Sequence, residues 1–359
     1  MVKARTLVGL DVHAAKIVAA VLDVETGEVR SFRLPGDVGE AVGLCSGLAR
    51  PVRVTYEAGP TGYGLARALE QRGVSCLVCA PGKIPRAAGD RIKTDRRDAE
   101  HLARLLLAGK LHAVRVPGGQ EEALRDLVRA REDVRVDLMR ARHRLSKLLL
   151  RHGLRFEERA WTERHARWLA TVELGQPAAQ TTLIDYRGAV EALVHRRGEL
   201  ERAIIAAVPG SGWADPVGRL RCLRGIDTLS AVGLCCEIGD FARFARAGQV
   251  MSFVGLVPSE DSTGERRRLG SITKTGSGHA RRLLVEAAWH YRNPPRLGRE
   301  LAARHHGQPA VAVAISWSAQ QRLHRTWRRM ERRGKRRPLI AVAVARELAG
   351  FCWSIAQTE

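Results

Sequence analysis

Three short apolar runs open the chain, over residues 6–12, 16–23 and 29–34, and polar turn formers such as Glu25-Thr26-Gly27 break them apart. Runs of that length with tight breaks predict three strands in a meander. A helix-like stretch follows over about 38–49, then an apolar run at Val52–Glu57, a Gly-rich helix start over 59–64 and another strand-like run over 74–80. A helix rich in Leu, Ala and charge is expected around 94–108. Strands that begin as hairpins and then alternate with helices predict a mixed sheet flanked by helices, an α/β domain over 1–116.

From Pro117 the period changes. Leu127, Val134, Leu138, Ala141, Leu145 and Leu148 recur at steps of three, four and seven, and Arg131 is the one polar interruption. This is a heptad seam of roughly three repeats, ended by Gly153. It fits a long helix packed on its own domain as well as an intermolecular coiled coil. A second helical stretch, about 181–208, stops before Pro209-Gly210-Ser211-Gly212, which reads as a linker. The pattern thus divides the chain into the α/β part, a helical or coiled-coil middle over 117–212, and a mainly α part over 213–359. Within the last part, residues 259–278 are polar and carry four glycines, so they cannot be core and read as a surface loop that is either floppy or functional.

Length and charge narrow the function. A chain of 359 residues is too long for one ordinary domain, and 45% hydrophobic with 27% charged residues is a globular balance. Sixty Lys and Arg against 38 Asp and Glu leave a formal charge of +22, which suits a polyanion and not a neutral metabolite. An anionic membrane surface is the competing partner. Yet no run approaches 18 consecutive apolar residues, and the first 16 residues lack the regions of a signal peptide. Seven scattered cysteines in such a chain read as reduced, mostly buried thiols. The expectation is a soluble cytoplasmic protein. Residues 322–337 hold eight Arg and one Lys against one Glu, with Arg328, Arg329, Arg332 and Arg333 at their centre. A solvated face mixes its signs, so the segment is expected to contact nucleic acid.

In so basic a chain the acids stand out. Asp11 ends the first strand in Gly9-Leu10-Asp11-Val12-His13, where a lone Asp would ordinarily be a turn or cap residue. Glu57 ends the fourth strand. Asp95 and Asp98 stand at i and i+3 in Lys93-Thr94-Asp95-Arg96-Arg97-Asp98, on one face of a helix, with an N-cap role for Asp95 as the plain alternative. Taken together, the four carboxylates are expected to converge at one edge of the sheet, where they would repel unless divalent cations held them. Two Mg²⁺ about 4 Å apart are the arrangement that activates a nucleophile and stabilises a leaving oxygen in phosphoryl transfer. This order of strands and acids resembles the RuvC-like, ribonuclease H-type nuclease fold.

The C-terminal part extends the resemblance. Leu223-Arg224-Gly225-Ile226-Asp227, Glu237-Ile238-Gly239-Asp240-Phe241 and Phe253-Val254-Gly255-Leu256-Val257-Pro258 are followed by Ser262-Thr263-Gly264, Gly270-Ser271-Ile272-Thr273-Lys274-Thr275-Gly276 and Arg281-Arg282-Leu283-Leu284. The whole chain resembles the DEDD insertion-sequence transposases of the IS one-ten family, which are bridge-RNA-guided serine recombinases. The resemblance implies that Asp11, Glu57, Asp95 and Asp98 bind Mg²⁺ and that a loop serine attacks DNA. It also implies a structured noncoding guide RNA that pairs with donor and target double-stranded DNA, and a homo-oligomer in which dimers form a synaptic tetramer. The serine carried over is Ser262, with Ser259, Ser271 and Ser277 as alternatives because Thr263 occupies the position before the glycine. Arg266, Arg267, Arg268 and Lys274 would then hold the scissile phosphate. Residues 223–237 are similar to a helix-hairpin-helix, with Asp227 where relatives carry a glycine. The alternatives are a junction-resolving nuclease that uses the four acids with water, and a non-catalytic nucleic-acid-binding protein.

Overall fold

The computed structural model describes residues 4–85, 94–261 and 268–358, and the chain forms two compact units, Met1–Gly118 and Gly119–Glu359. In the first, β1 (Thr6–Val12), β2 (Lys16–Asp23) and β3 (Val29–Pro35) form the expected meander. Next come α1 (Val38–Ser46), β4 (Val52–Glu57), α2 (Gly64–Gln71), β5 (Ser75–Cys79) and α3 (Asp95–Leu107). The strand order is β3-β2-β1-β4-β5, antiparallel in the meander and parallel from β1 through β4 to β5.

Alternation sorts the two faces of this sheet. Val8, Leu10, Val54, Tyr56 and Val78 point to the side covered by α1 and α2, where Val42, Cys45, Leu65 and Leu69 meet them. Leu7 and Leu22 point the other way, against Ala103 and Leu106 of α3, and Val18 and Ala20 meet Ala99. All seven cysteines are free and six are buried. Cys76 and Cys79 stand at CxxC spacing, but three steps along a strand put them on opposite faces, and burial pushes the Cys76 thiol up to about 12.

The second unit begins with α4 (Gly119–Arg151), followed by α5 (Glu163–Thr171) and α6 (Pro177–Ala207). Helices α4 and α6 run antiparallel. Leu124 and Val128 pack with Ile204 and Val208, while Leu138, Leu145 and Leu148 pack with Leu183 and Val190. The heptad seam is therefore filled from within the chain, and Arg131, its polar interruption, donates to Glu201 of α6 at 2.6 and 3.0 Å.

Beyond them lie α7 (Ala214–Leu220), α8 (Thr228–Ile238), α9 (Ala247–Phe253), the short hairpin β6 (Pro258–Glu260) and β7 (Leu269–Ile272), and α10 (Gly278–Ala288). Helices α11 (Arg299–His305), α12 (Ala310–Arg332) and α13 (Arg337–Ala356) complete the chain. By length and apolarity α13 could cross a membrane, but Ile340, Val344, Leu348, Cys352 and Ile355 are its core stripe, packed against α7, α9, α10 and α12.

Candidate active site

Leu10 of β1 pairs with Tyr56 of β4 in parallel register, so the next residues, Asp11 and Glu57, end adjacent strands side by side. Leu10 and Tyr56 face α1 and α2, so both acids point to the opposite side, where α3 lies. Gly9 lets α3 come that close. A Cβ on Gly9 would overlap the Ala99 carbonyl and the Ala103 amide, so helix backbone rests directly on strand backbone.

The start of α3 then delivers two more acids. Thr94, with extended backbone, is the N-cap, and its hydroxyl accepts from the Arg97 amide at 3.3 Å. That leaves Asp95 free of capping duty, against the plain alternative for this residue, and both Asp95 and Asp98 fall in the first helical turn.

Asp11 and Asp95 each have a basic residue beside them. His13 Nε2 lies 3.3 Å from Asp11 Oδ2, and Lys16, the first residue of β2, pairs with Asp95. Ligand atoms of Asp11, His13 and Asp95 lie within 4.8 Å of one another, a donor set that could hold a metal ion. Burial raises the Asp11 carboxyl above its ordinary range; His13 opposes this, and the charges of Asp95 and Asp98 add to it. The hydrogen bond from Lys16 lowers Asp95 instead. His13 and Lys16 escaped the sequence reading. His13 stands two residues after Asp11, hence on the same face of the strand end, which is the one signal that could have found it.

In the second unit, Ser262, Arg266 and Arg267 lie outside the described residues. What flanks them is tightly built. Gly255 and Gly276 have φ of 66° and 68°, and side chains there would run into the Thr275 and Phe253 backbones. Arg281 clamps both stretches by donating to the Val254 carbonyl at 2.7 Å and the Thr275 carbonyl at 2.9 Å. Lys274, exposed, sits in the same turn with φ of 54°, and the Arg268 carbonyl accepts from the Asp261 amide at 3.0 Å.

Of the alternative serines, Ser259 and Ser271 are exposed on β6 and β7, whereas Ser277 caps α10 by accepting from the Ala280 amide. Asp227 caps α8 through the Ser230 amide at 2.8 Å, so in this hairpin turn the acid takes an amide that a phosphate would otherwise use. Arg328, Arg329, Arg332 and Arg333 are exposed at the end of α12, with Arg328 paired to Glu331 at 3.0 Å. Trp327, just before them, is buried against Trp289.

Comparison with known proteins agrees with both halves. The DEDD transposase profile of the IS110 type matches residues 8–153, which contain the four acids. A second profile, described as transposase IS116/IS110/IS902 family, matches residues 217–301. The Sinorhizobium fredii protein y4qE, named as a transposase, is 41% identical over 362 residues, spanning 98% of this chain and 88% of the relative. The transposase for insertion sequence element IS1533 of Leptospira borgpetersenii is 33% identical over 342 residues, spanning 93% of this chain and 99% of the relative. The chain belongs to the IS116/IS110/IS902 family of transposases.

Proposed function

We propose that this transposase excises and inserts its own insertion-sequence element by cutting and rejoining DNA with an acidic metal site and a serine nucleophile, guided by a noncoding RNA. The observation that carries the reading is that Asp11 and Glu57 stand at neighbouring strand ends of a β3-β2-β1-β4-β5 sheet, with Asp95 of α3 close to Asp11. That strand order and acid placement support a RuvC-like assignment for the first unit. Asp11, Glu57, Asp95 and Asp98 would hold Mg²⁺, which when bound offsets charge on the scissile phosphate and polarises it. Like charges gathered on a half-buried strand end, with Asp11 raised by that burial, fit such a cation.

Ser262 is the residue assigned to attack. Its oxygen bonds to phosphorus, the sugar oxygen leaves with a proton, and the phosphate stays on the protein as a serine ester. A sugar hydroxyl from the other strand reverses the step, so rejoining draws on the stored ester without an outside energy source. Gly255, Gly276 and Arg281 fix the described stretches on either side of residues 262–267. Arg266, Arg267, Arg268 and Lys274 are assigned to the phosphate. The partners are donor and target double-stranded DNA, the guide RNA, and further copies of the chain as dimer and tetramer.

The test is to trap protein–DNA adducts in denaturing gels with guide RNA and Mg²⁺ present, then map the attached residue. An adduct at Ser262 that vanishes in Ser262→Ala is the expected result. Cut DNA with free ends and no adduct would mean water is the nucleophile, and an adduct that persists in Ser262→Ala would move the role to Ser259 or Ser271.

A further inference from the structure

Between α4 and α6 lies a cavity of about 290 Å³ whose lining includes Arg135, Arg142, His143, Arg197, Trp161 and Met139. Its charges are unevenly answered. Arg135 pairs with Glu132 at 2.8 Å, and Arg197 lies 3.5 Å from Glu201, a carboxylate that already accepts two bonds from Arg131. No carboxylate pairs with Arg142 among the described residues. The Nε of Arg142 is buried without a hydrogen-bond partner, whereas the Nε of Arg197 faces Glu201 at 3.5 Å. Buried donors of that kind cost stability unless something accepts from them. Burial and then the neighbouring charge of Arg197 lower the Arg142 guanidinium below its ordinary range.

Trp161 supplies the second half of the site. The Arg142 guanidinium lies 4.8 Å from its ring centroid, and His165 meets the same ring edge-on at 4.9 Å. The tryptophan holds this place with φ of 66°, a backbone region that costs a bulky residue energy and that is characteristically kept at functional sites. Arg135 and Arg197 also line an adjoining cavity of about 250 Å³, together with Arg131, His279 and Arg282 and the acids Asp227 and Glu286.

We propose that this groove binds an unpaired strand of nucleic acid, with a backbone phosphate accepted by Arg142 and Arg197 and a base against Trp161 and Met139. An arginine with no carboxylate partner beside an aromatic ring is the chemistry of single-strand binding, and so small a pocket admits a nucleotide and not a duplex. The inference rests on reading the chain as a nucleic-acid enzyme, and it assigns residues outside the acid cluster and the serine loop. Guide RNA and displaced DNA share this chemistry.

The test is fluorescence anisotropy of the full chain with labelled twelve-nucleotide oligouridine and oligothymidine across a salt series. Arg142→Gln and Arg197→Gln are each expected to weaken binding about fivefold or more and to flatten the log–log salt slope by about 0.7. Trp161→Ala is expected to weaken it by about tenfold with the slope unchanged. Arg142→Lys keeps the charge and should keep the slope. A preference for oligouridine assigns the groove to RNA, and a preference for oligothymidine assigns it to displaced DNA. Photo-crosslinking of a 4-thiouridine oligonucleotide to the unaltered chain reads the site without any variant. Adducts within 135–143 or at Trp161 support the proposal, whereas adducts only elsewhere, or wild-type affinity in both Arg142→Gln and Trp161→Ala, overturn it. Asp11→Asn should bind these oligonucleotides normally while failing to cut, so a failure here leaves the cleavage reading standing and the reverse also holds.

Discussion

Lys16 and Asp95 join the first residue of β2 to the first residue of α3 through an ion pair, placing a lysine ammonium inside the acid cluster. The pair answers part of the negative charge that Asp11, Asp95 and Asp98 bring together. A divalent cation held by those acids would compete with it.

Replacing Lys16 with Met removes that internal counter-charge. The melting temperature in EDTA should fall, and added Mg²⁺ should raise it by more than it raises the wild type. Differential scanning fluorimetry over a Mg²⁺ series reads both effects, and equal Mg²⁺ responses in the two chains would count against shared use of Asp95.

Gly9→Ala tests how the site is assembled. The added methyl would drive the strand off the Ala99 and Ala103 backbone, an overpacking worth about 1–3 kcal/mol. Since the same contact sets the first turn of α3 beside Asp11, cleavage should be lost at temperatures where the protein is still folded. Urea denaturation and a cleavage assay on the same preparation separate the two losses.

Acid stability of the second unit should depend on Glu237. Burial works against its charge, but contacts from His279, Ser277, Arg125 and Arg129 outweigh that and hold it below its ordinary value of 4.5. A carboxyl depressed in the folded state adds stability that is complete above 4.5 and is lost as pH falls from there through the lower folded value. Glu237→Gln should therefore be less stable than wild type at neutral pH, and the gap should narrow below 4.5, as urea melts at several pH values would show.

Replacing Arg328, Arg329, Arg332 and Arg333 with Gln leaves the core untouched, since all four are exposed. Affinity for DNA or RNA should fall with little sequence preference, and each lost phosphate contact should flatten the log–log salt slope by about 0.7–0.9. An unchanged slope would leave the segment as a solubilising face.

The first unit was legible because its strands alternate cleanly and its acids end apolar runs: Asp11 and Glu57 could be placed from spacing alone. What spacing could not convey was how they are held. A histidine just past a strand end and a lysine at the next strand start are ordinary residues until the hairpin folds, so His13 and Lys16 went unmarked. Thr94 took the capping role open to Asp95 because its extended backbone precedes the helix by one residue. The heptad seam was visible, but its partner was not, since α6 presents only scattered apolar positions such as Leu183 and Val190. The three-residue β6 is too short for periodicity to mark. The Arg142–Trp161 contact depends on a left-handed turn at a tryptophan, which no propensity predicts.

Strand cleavage by the Asp11→Asn protein, assayed with guide RNA, donor and target DNA and Mg²⁺, tests the central claim most directly. Circular dichroism on the same preparation would establish that the variant is folded. The account predicts a folded protein that binds nucleic acid with wild-type affinity and cuts none of it. Cleavage by Asp11→Asn at the wild-type rate would contradict the acidic metal site.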